Sequence, residues 1–476
     1  MNTRETFREP GLLETIVITC VLFIISTING THYILGIYVA EWQRYFAAGY
    51  GVTAFIGTCY TGFTCCFAPL ATVLIKRYGT RLCLLIAGIF NGLTISLSAF
   101  APNIYVIIIL WSIAGIANSF HLGPIAAYVV IRFRKYRAIV NGIAITGCSA
   151  GTFLLALFAN DTIELYSWRG SVWILGGVCF HHCSLCLLLK DWNTNDKSDD
   201  LCYVESNSTD SYPANDRLLR DYVNGLPTEI RTGEITDQKS KCERHLNVEK
   251  PTDVKMSKII KSITSLNKND LKANLVEILH LRLFRKRAFL TMSLHMLFYY
   301  MSASVVYLHV VSGFENLLKI TIEQARFMVS VIGISGVFGR VVGSFLTHFK
   351  RIDTLSLYLA IDVMLAVASF LVPVFEGFTA GIILSVFLGF SVSGIIATMP
   401  LVLIELLEDS DLVNMSIGYC YFFIGIGSFI GAPLAGWIYD ITGNYAYSFY
   451  VGGALASLSS LAIVPYWIRH VRKLQH

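Results

Sequence analysis

Apolar residues run almost unbroken through most of this chain, in stretches of about 20 or more separated by short polar interruptions. A helix rises about 1.5 Å per residue, so about 20 apolar residues cross the roughly 30 Å hydrocarbon core of a bilayer. The pattern therefore predicts twelve transmembrane helices in two groups of six. The first group lies at about 14–40, 50–75, 81–100, 103–131, 138–158 and 169–190. The second lies at about 286–311, 324–347, 354–374, 376–405, 412–436 and 445–468. The expected organisation is an N-terminal segment 1–13, a six-helix bundle 14–190, a polar loop 191–285, a second six-helix bundle 286–468 and a tail 469–476. The first apolar run is followed by no small-residue cleavage site and reads as a permanent span.

Composition sharpens this picture by exclusion. Of 476 residues 54% are hydrophobic and 14% charged, against roughly 25% charged in soluble domains. Residues 191–285 hold 31 of the 69 charged side chains, so the other 381 residues carry 38 and could not clothe a soluble surface. The loop is rich in Asp, Asn, Lys, Ser and Thr; it buries too little apolar surface to offset its ordering entropy and is expected to be disordered. Its last part, Leu271 to Arg287, spaces Leu275, Ile278, Leu279 and Leu283 as a short amphipathic helix for the inner membrane surface.

Charge placement sets an orientation. Lys76, Arg77 and Arg81 occupy the second connection and Arg132, Arg134, Lys135 and Arg137 the fourth. Lys350 and Arg351 occupy the eighth, and Arg469, Arg472 and Lys473 the tail, while odd-numbered connections are nearly bare apart from Arg44, Lys319 and Arg326. Basic residues are retained on the cytoplasmic side, which places both termini and the polar loop there. The sequon at Asn207 then faces the cytoplasm, and the one at Asn160 faces outside but close to the membrane. A net charge of +5 follows from this topology, without the basic-aromatic stripe of a nucleic-acid binder. Most of the 12 cysteines stand singly in apolar runs, as small hydrophobes do, with no disulfide framework. Gly147 with Gly151, Gly339 with Gly343 and Gly427 with Gly431 are small-residue pairs that allow close helix approach, whether for ordinary packing or for moving bundles.

Several motifs carry a resemblance. Arg132-Phe133-Arg134-Lys135-Tyr136-Arg137-Ala138, continuing through Asn141-Gly142 to Gly147 and Gly151, resembles the fifth-helix signature of the monocarboxylate transporter family. Trp168-Arg169-Gly170-Ser171 is similar to that family's sixth-helix entry, and Gly431 to Asp440 to its eleventh-helix end. Lys76-Arg77-Tyr78-Gly79-Thr80-Arg81 resembles the loop between helices two and three of the major facilitator superfamily. The conformational motif residues implied are thus Lys76, Arg77, Gly79, Arg81, Arg132, Arg137, Gly142, Trp168, Arg169 and Gly170. The resemblance implies the all-α major facilitator fold, with one substrate site between two bundles that rock around it. It implies a plasma-membrane transporter in the lipid bilayer whose partner is a small organic anion. Protons accompany the solute in some branches, and a single-span glycoprotein escort accompanies some members.

Ionisable residues inside a span are costly enough to suggest function. Arg340 in the eighth span matches the arginine that the family uses for the substrate carboxylate, which a guanidinium can hold through two parallel hydrogen bonds. The plainer reading is an arginine snorkelling to the cytoplasmic interface. Proton-coupled members place an aspartate four residues earlier, where this chain has Gly336, and a lysine in the first span, where it reads Gly30-Thr31-His32-Tyr33. The usual acid partner is therefore missing, which predicts weaker proton dependence. His121, His295 and Asp362 are the coupling candidates; His32, Tyr33, Asn118, His121, His295 and Tyr299 join Arg340 as candidate substrate contacts, each with a structural packing role as its alternative. Tyr300 is a further candidate lining residue, and His309 is expected at the interface. His181-His182-Cys183 with Cys186 lacks a second ligand pair at zinc spacing, so no metal site is expected. Phosphate loops, nucleophile elbows and His-Glu-x-x-His are absent, and no enzyme or cofactor is expected.

Three functions follow from these residues. The first is secondary-active or facilitative transport of small monocarboxylate-type anions, symport included. The second is uncoupled facilitation of aromatic amino acids, thyroid hormones or other neutral or zwitterionic solutes. The third is a solute sensor that no longer cycles.

Overall fold

A computed structural model describes residues 12–132, 137–189, 281–347, 352–407 and 410–475. The polar loop up to residue 280, the centre of the Arg132–Arg137 cluster and the Asn207 sequon lie outside the described residues, as do the side chains of Lys76, Arg77, Arg132 and Arg137. The described regular elements are helices throughout. In chain order they are α1 (Leu12–Asn29), α2 (Leu35–Phe46), α3 (Tyr50–Tyr78), α4 (Thr80–Ser98), α5 (Ile104–Arg132), α6 (Arg137–Leu188), α7 (Arg287–Leu318), α8 (Ile322–Leu346), α9 (Thr354–Leu371), α10 (Phe378–Leu407), α11 (Ser410–Thr442) and α12 (Tyr445–Gln475). α1 and α2 form one span, interrupted by a 3₁₀ turn at Gly30–Tyr33.

Among the described residues, eleven helical segments are long and apolar enough to cross a membrane. Eleven is consistent with the twelve spans that the apolar pattern predicts, because one segment covers two of them. The fifth and sixth spans are joined in α6, whose 52 residues would reach about 78 Å if straight. The run breaks at Ser167, with φ 60° and ψ 174°, and its two arms pack on different partners. Gly147 and Gly151 meet α1 at Phe23 and Thr27, whereas Gly176 and Phe180 meet α4 at Ser96 and Gly92. Ser167 occupies backbone space that only glycine visits freely, which costs about 1–3 kcal/mol. Its neighbours hold it there. Thr162 and Ser171 join their hydroxyls across the bend at 2.7 Å. Trp168 packs among Trp42, Tyr45 and Phe46, and Arg169 donates to the carbonyls of Ala99 and Ala101 while stacking over Trp168. Gly170 leaves room for Tyr166, whose Cβ would stand 2.5 Å from an added side chain. The Asn160 sequon therefore lies in a helix, with Thr162 buried.

Helix ends follow local chemistry. Thr321 and Gln324 form a reciprocal capping box at the start of α8, and Asp353 accepts from the Ser356 amide at 2.8 Å to start α9. Gly79, at φ 92°, makes the one-residue turn from α3 to α4. Arg81 of the same motif donates from Nε to the Leu189 carbonyl, tying α4 to the end of α6. Gly142 has no neighbour within 4 Å of an added Cβ. Of the amphipathic helix expected over 271–287, the described part is a 3₁₀ turn, Leu281–Arg285. Leu283 is buried there, and Phe284 packs on Phe289, Tyr419 and Phe423.

The small-residue pairs sit inside the bundles. A Cβ at Gly151 would stand 1.9 Å from the Thr27 carbonyl of α1, and one at Gly431 2.2 Å from the Met301 carbonyl of α7. Gly339 approaches the Phe390 carbonyl of α10 as closely, at 2.3 Å. These glycines fix each bundle as a body. A second set joins the bundles. A Cβ at Gly36 would lie 2.2 Å from the Tyr307 carbonyl, at Gly333 2.4 Å from the Phe153 amide, and at Gly436 2.6 Å from the Gly51 amide.

Candidate functional site

The bundles are clasped at the end remote from the α3–α4 turn. Asp440 of α11 accepts from the amides of Tyr50 and Gly51 at 2.8 and 2.9 Å, capping the positive N-terminus of α3. Arg44 pairs with Glu315, and Arg326 with Glu41. Each of these three contacts links residues before 190 to residues after 286.

Between the clasps and the opposite end, the 3₁₀ turn in the first span packs on α6, where a Cβ at Gly30 would lie 2.6 Å from the Thr152 amide. It presents His32 and Tyr33, with ring centroids 3.5 Å apart, and Tyr33 reaches Tyr307 of α7 at 4.6 Å. A mid-span break of this kind exposes backbone that a continuous helix would use internally. His32 spends Nδ1 on the Asn29 carbonyl at 2.8 Å.

Arg340 is 4% exposed, so it does not snorkel to a surface. Its Nη1 donates to the Ile145 carbonyl of α6 at 2.6 Å, reaching across to the other bundle. Its Nε is buried without an acceptor. Around the guanidinium stand Tyr33, Cys148, Tyr307 and Tyr421, and His32 is within its electrostatic reach. The ion pairs among the described residues leave Arg340 without a carboxylate. The Tyr33 hydroxyl and the Cys148 thiol are in hydrogen-bonding reach of the guanidinium, so its partners among the described residues are uncharged, and an anion would meet a guanidinium not already neutralised. Gly336, one turn away, faces Ser149 and Ser393, whose hydroxyls meet at 3.3 Å. A Cβ there would lie 2.4 Å from Ser393 Oγ, so a side chain at 336 must push that pair apart.

The other candidates divide into two groups. Tyr299 is fully buried and donates its hydroxyl to the Val392 carbonyl at 2.6 Å, in electrostatic reach of both Arg340 and Asp362. His295 lies one turn earlier, its ring stacked toward Tyr299, and pairs with Tyr358, Ser459 and Asp362 in the interior of the second bundle. Asn118 and His121 are brought elsewhere. His121 stacks on His182 at 4.0 Å within the first bundle, and Asn118 is buried on the same helix. His309 is not interfacial; it is 1% exposed, bonded to the Ala432 carbonyl at 2.8 Å. Packing against α11 and Tyr445 encloses it.

Sequence reasoning missed Tyr307, Tyr421, Cys148, Ser149 and Ser393. Tyr307 had a signal, since seven residues separate it from Tyr300 and place both on one helical face. The others had none, being ordinary residues in apolar helices.

Comparison with known proteins gives concordant results. Residues 18–410 match the family model described as Major Facilitator Superfamily. The chain is 27% identical over 461 residues to "Monocarboxylate transporter 14" of Homo sapiens, covering 93% of this chain and 88% of that protein. It is 25% identical over 464 residues to "Monocarboxylate transporter 9" of Gallus gallus, covering 92% and 90%. Among solved structures, it resembles a POT family transporter in complex with 5-aminolevulinic acid, with TM-score 0.65 and 12% identity over 95% of each chain. A nucleoside transporter, NupG, aligns with TM-score 0.63 and 10% identity over 95% of this chain and 99% of that one.

Proposed function

This chain belongs to the Major Facilitator Superfamily and is a multi-pass, non-enzymatic membrane transporter homologous to monocarboxylate transporters, and from that premise we propose that it carries a small organic monoanion by alternating access. Arg340 is the anchor for the carboxylate, and Tyr33, Tyr307 and Tyr421 flank the uncharged body of the solute. The observation that carries this reading is a guanidinium 4% exposed whose partners among the described residues, the Ile145 carbonyl, the Tyr33 hydroxyl and the Cys148 thiol, are all uncharged groups. A buried cation of that kind is stabilised by an incoming anion far more than a solvated one would be. The clasped end is extracellular on the charge reading of the connections, the protein sits in the plasma membrane, and both termini are cytoplasmic.

Uncoupled facilitation is a second reading, favoured by the lack of any side chain at Gly336 and of any carboxylate paired with Arg340 among the described residues. The test is uptake into proteoliposomes of a radiolabelled panel of monocarboxylates and amino acids, with and without an inward proton gradient. The proposal expects carboxylate uptake that Arg340→Ala abolishes at unchanged protein density. Retained uptake at normal KM in that variant contradicts it.

A further inference from the structure

The second bundle contains an acid–imidazole cluster where α7, α9 and α12 meet, with Tyr299 between it and Arg340 in electrostatic reach of both. Asp362 of α9 is 0% exposed. Its Oδ2 accepts from Ser459 and Ser460 of α12 at 3.0 and 2.9 Å. His295 of α7 places Nδ1 2.7 Å from Ser459 Oγ and 3.6 Å from Asp362 Oδ2, while its Nε2 meets Tyr358 Oη at 2.7 Å. Asp362 Oδ1 is buried with no partner.

Hydrogen-bond accounting gives this chain of contacts a direction. With Tyr358 donating to Nε2, the ring carries its proton on Nδ1 and donates to Ser459, which donates in turn to Asp362. If the ring is neutral and the acid ionised, the cluster holds a bare negative charge in a dry helix junction, with one oxygen unpartnered. One added proton removes that charge, whether it sits on the carboxyl or makes the ring an imidazolium beside the carboxylate. The titratable groups facing the cluster are His295 and Tyr299 from α7, Tyr358 from α9 and Cys420 from α11. α12 faces it with Ser459 and Ser460. His295 is the one group in this set whose protonated form is a cation.

We infer that Asp362 and His295 form a buried proton-binding site that biases the transporter toward the conformation clasped at the Asp440 end. The proton remains in the helix junction and is not carried with the solute. α7 is the mechanical link, since it bears His295, Tyr299 and the Tyr307 carbonyl packed on Gly36, and carries Glu315 of the clasp in its last turn. Loss of the proton leaves a charge that water must reach, and water reaches it only if α7 separates from α9 and α12. The clasped population therefore falls as pH rises.

The consequence for transport rests on the proposed function, whereas the site itself is read without any solute. Infrared spectra of the full chain in lipid, recorded between roughly pH 5 and 9, should contain a protonated-carboxyl band that disappears as pH rises. The band should be absent in Asp362→Asn, displaced in Asp362→Glu, and its midpoint moved by about one pH unit or more in His295→Gln. Hydrogen exchange at the first turn of α3, whose amides Asp440 caps, should accelerate with pH beyond the intrinsic rate in wild type and not in Asp362→Asn. A band that is unchanged in both Asp362 variants overturns the inference, and so does one that responds to sodium and not to pH. Should Asp362→Asn fail to fold, the Asp362→Glu displacement and the wild-type titration decide. An anchor role for Arg340 can fail while these results stand.

Discussion

The two bundles share an architecture and differ in charge. In the first, the fully enclosed polar side chains among the described residues are neutral amides, hydroxyls and histidines, such as Asn29, Asn91, Asn118, His121 and His182. In the second, Arg326, Arg340 and Asp362 are buried as well. The corresponding three-helix junctions make the contrast concrete. Where α1, α4 and α6 meet, His182 lies near the Ile25 carbonyl at 3.4 Å, beside Gly88. Where α7, α9 and α12 meet, His295 faces an aspartate. The first bundle supplies a surface, including the Ile145 carbonyl and the interrupted turn with His32 and Tyr33. The second supplies the buried arginines and aspartate among the described residues. Burying a charge is expensive, and among the described residues that cost falls on the second half of the chain.

The sharpest way to break this comparison is to remove charge from one side and polarity from the other. Arg340→Ala should lower carboxylate uptake at least about 100-fold, the value of two charge-assisted hydrogen bonds. Arg340→Lys, keeping charge without the planar fork, should lose about 10-fold or more. His121→Gln in the first bundle should change uptake by no more than about twofold. A larger loss at His121 than at Arg340, in initial-rate assays normalised to surface protein, would reverse the assignment.

A second contrast separates glycines that build a bundle from glycines that let bundles meet. Gly151→Ala should lower thermal stability, because its Cβ would stand 1.9 Å from the Thr27 carbonyl; overpacking of this kind costs about 1–3 kcal/mol. Gly436→Ala should spare stability and instead disfavour the clasped conformation, raising hydrogen exchange at the first turn of α3. Melting curves paired with exchange measurements decide between the two effects.

Smaller effects are expected at the clasp. Glu41→Gln leaves Arg326, whose side chain is 7% exposed, without its carboxylate. This should shift the balance of conformations by about 1–3 kcal/mol, or roughly 5- to 150-fold. Lys319→Gln, outside the clasp, breaks the pair with Glu376, whose side chains are 70% and 59% exposed, and should change transport by less than about fivefold, since exposed pairs contribute roughly 0–1 kcal/mol. Uptake kinetics of both variants, with an Arg326→Gln/Glu41→Gln double variant, test the order.

The membrane-spanning character was legible because bilayer crossing imposes a length and a composition on each helix. Arg340 was legible for the same reason, as a cation in an apolar run of α8. Its surroundings were not, because Ile145 lies 195 residues away and offers only a backbone carbonyl. Asp362 and His295 were visible as isolated polar residues, but Ser459 and Ser460 look like any serines in a membrane helix. The bend falls on a serine rather than on a glycine or proline; Trp168, Arg169 and Ser171 hold it through Trp42, the Ala99 carbonyl and Tyr38. The polar stretch around Asn160 reads as a connection, yet it stays helical until Tyr166.

The most direct test is counterflow of a labelled monocarboxylate into proteoliposomes, run beside its uncharged carboxamide. An anchoring guanidinium predicts that wild type exchanges the carboxylate, discriminates against the amide by at least about 100-fold, and loses the discrimination together with carboxylate exchange in Arg340→Ala. Equal exchange of acid and amide by wild type, or an undiminished preference for the acid in the variant, would contradict it.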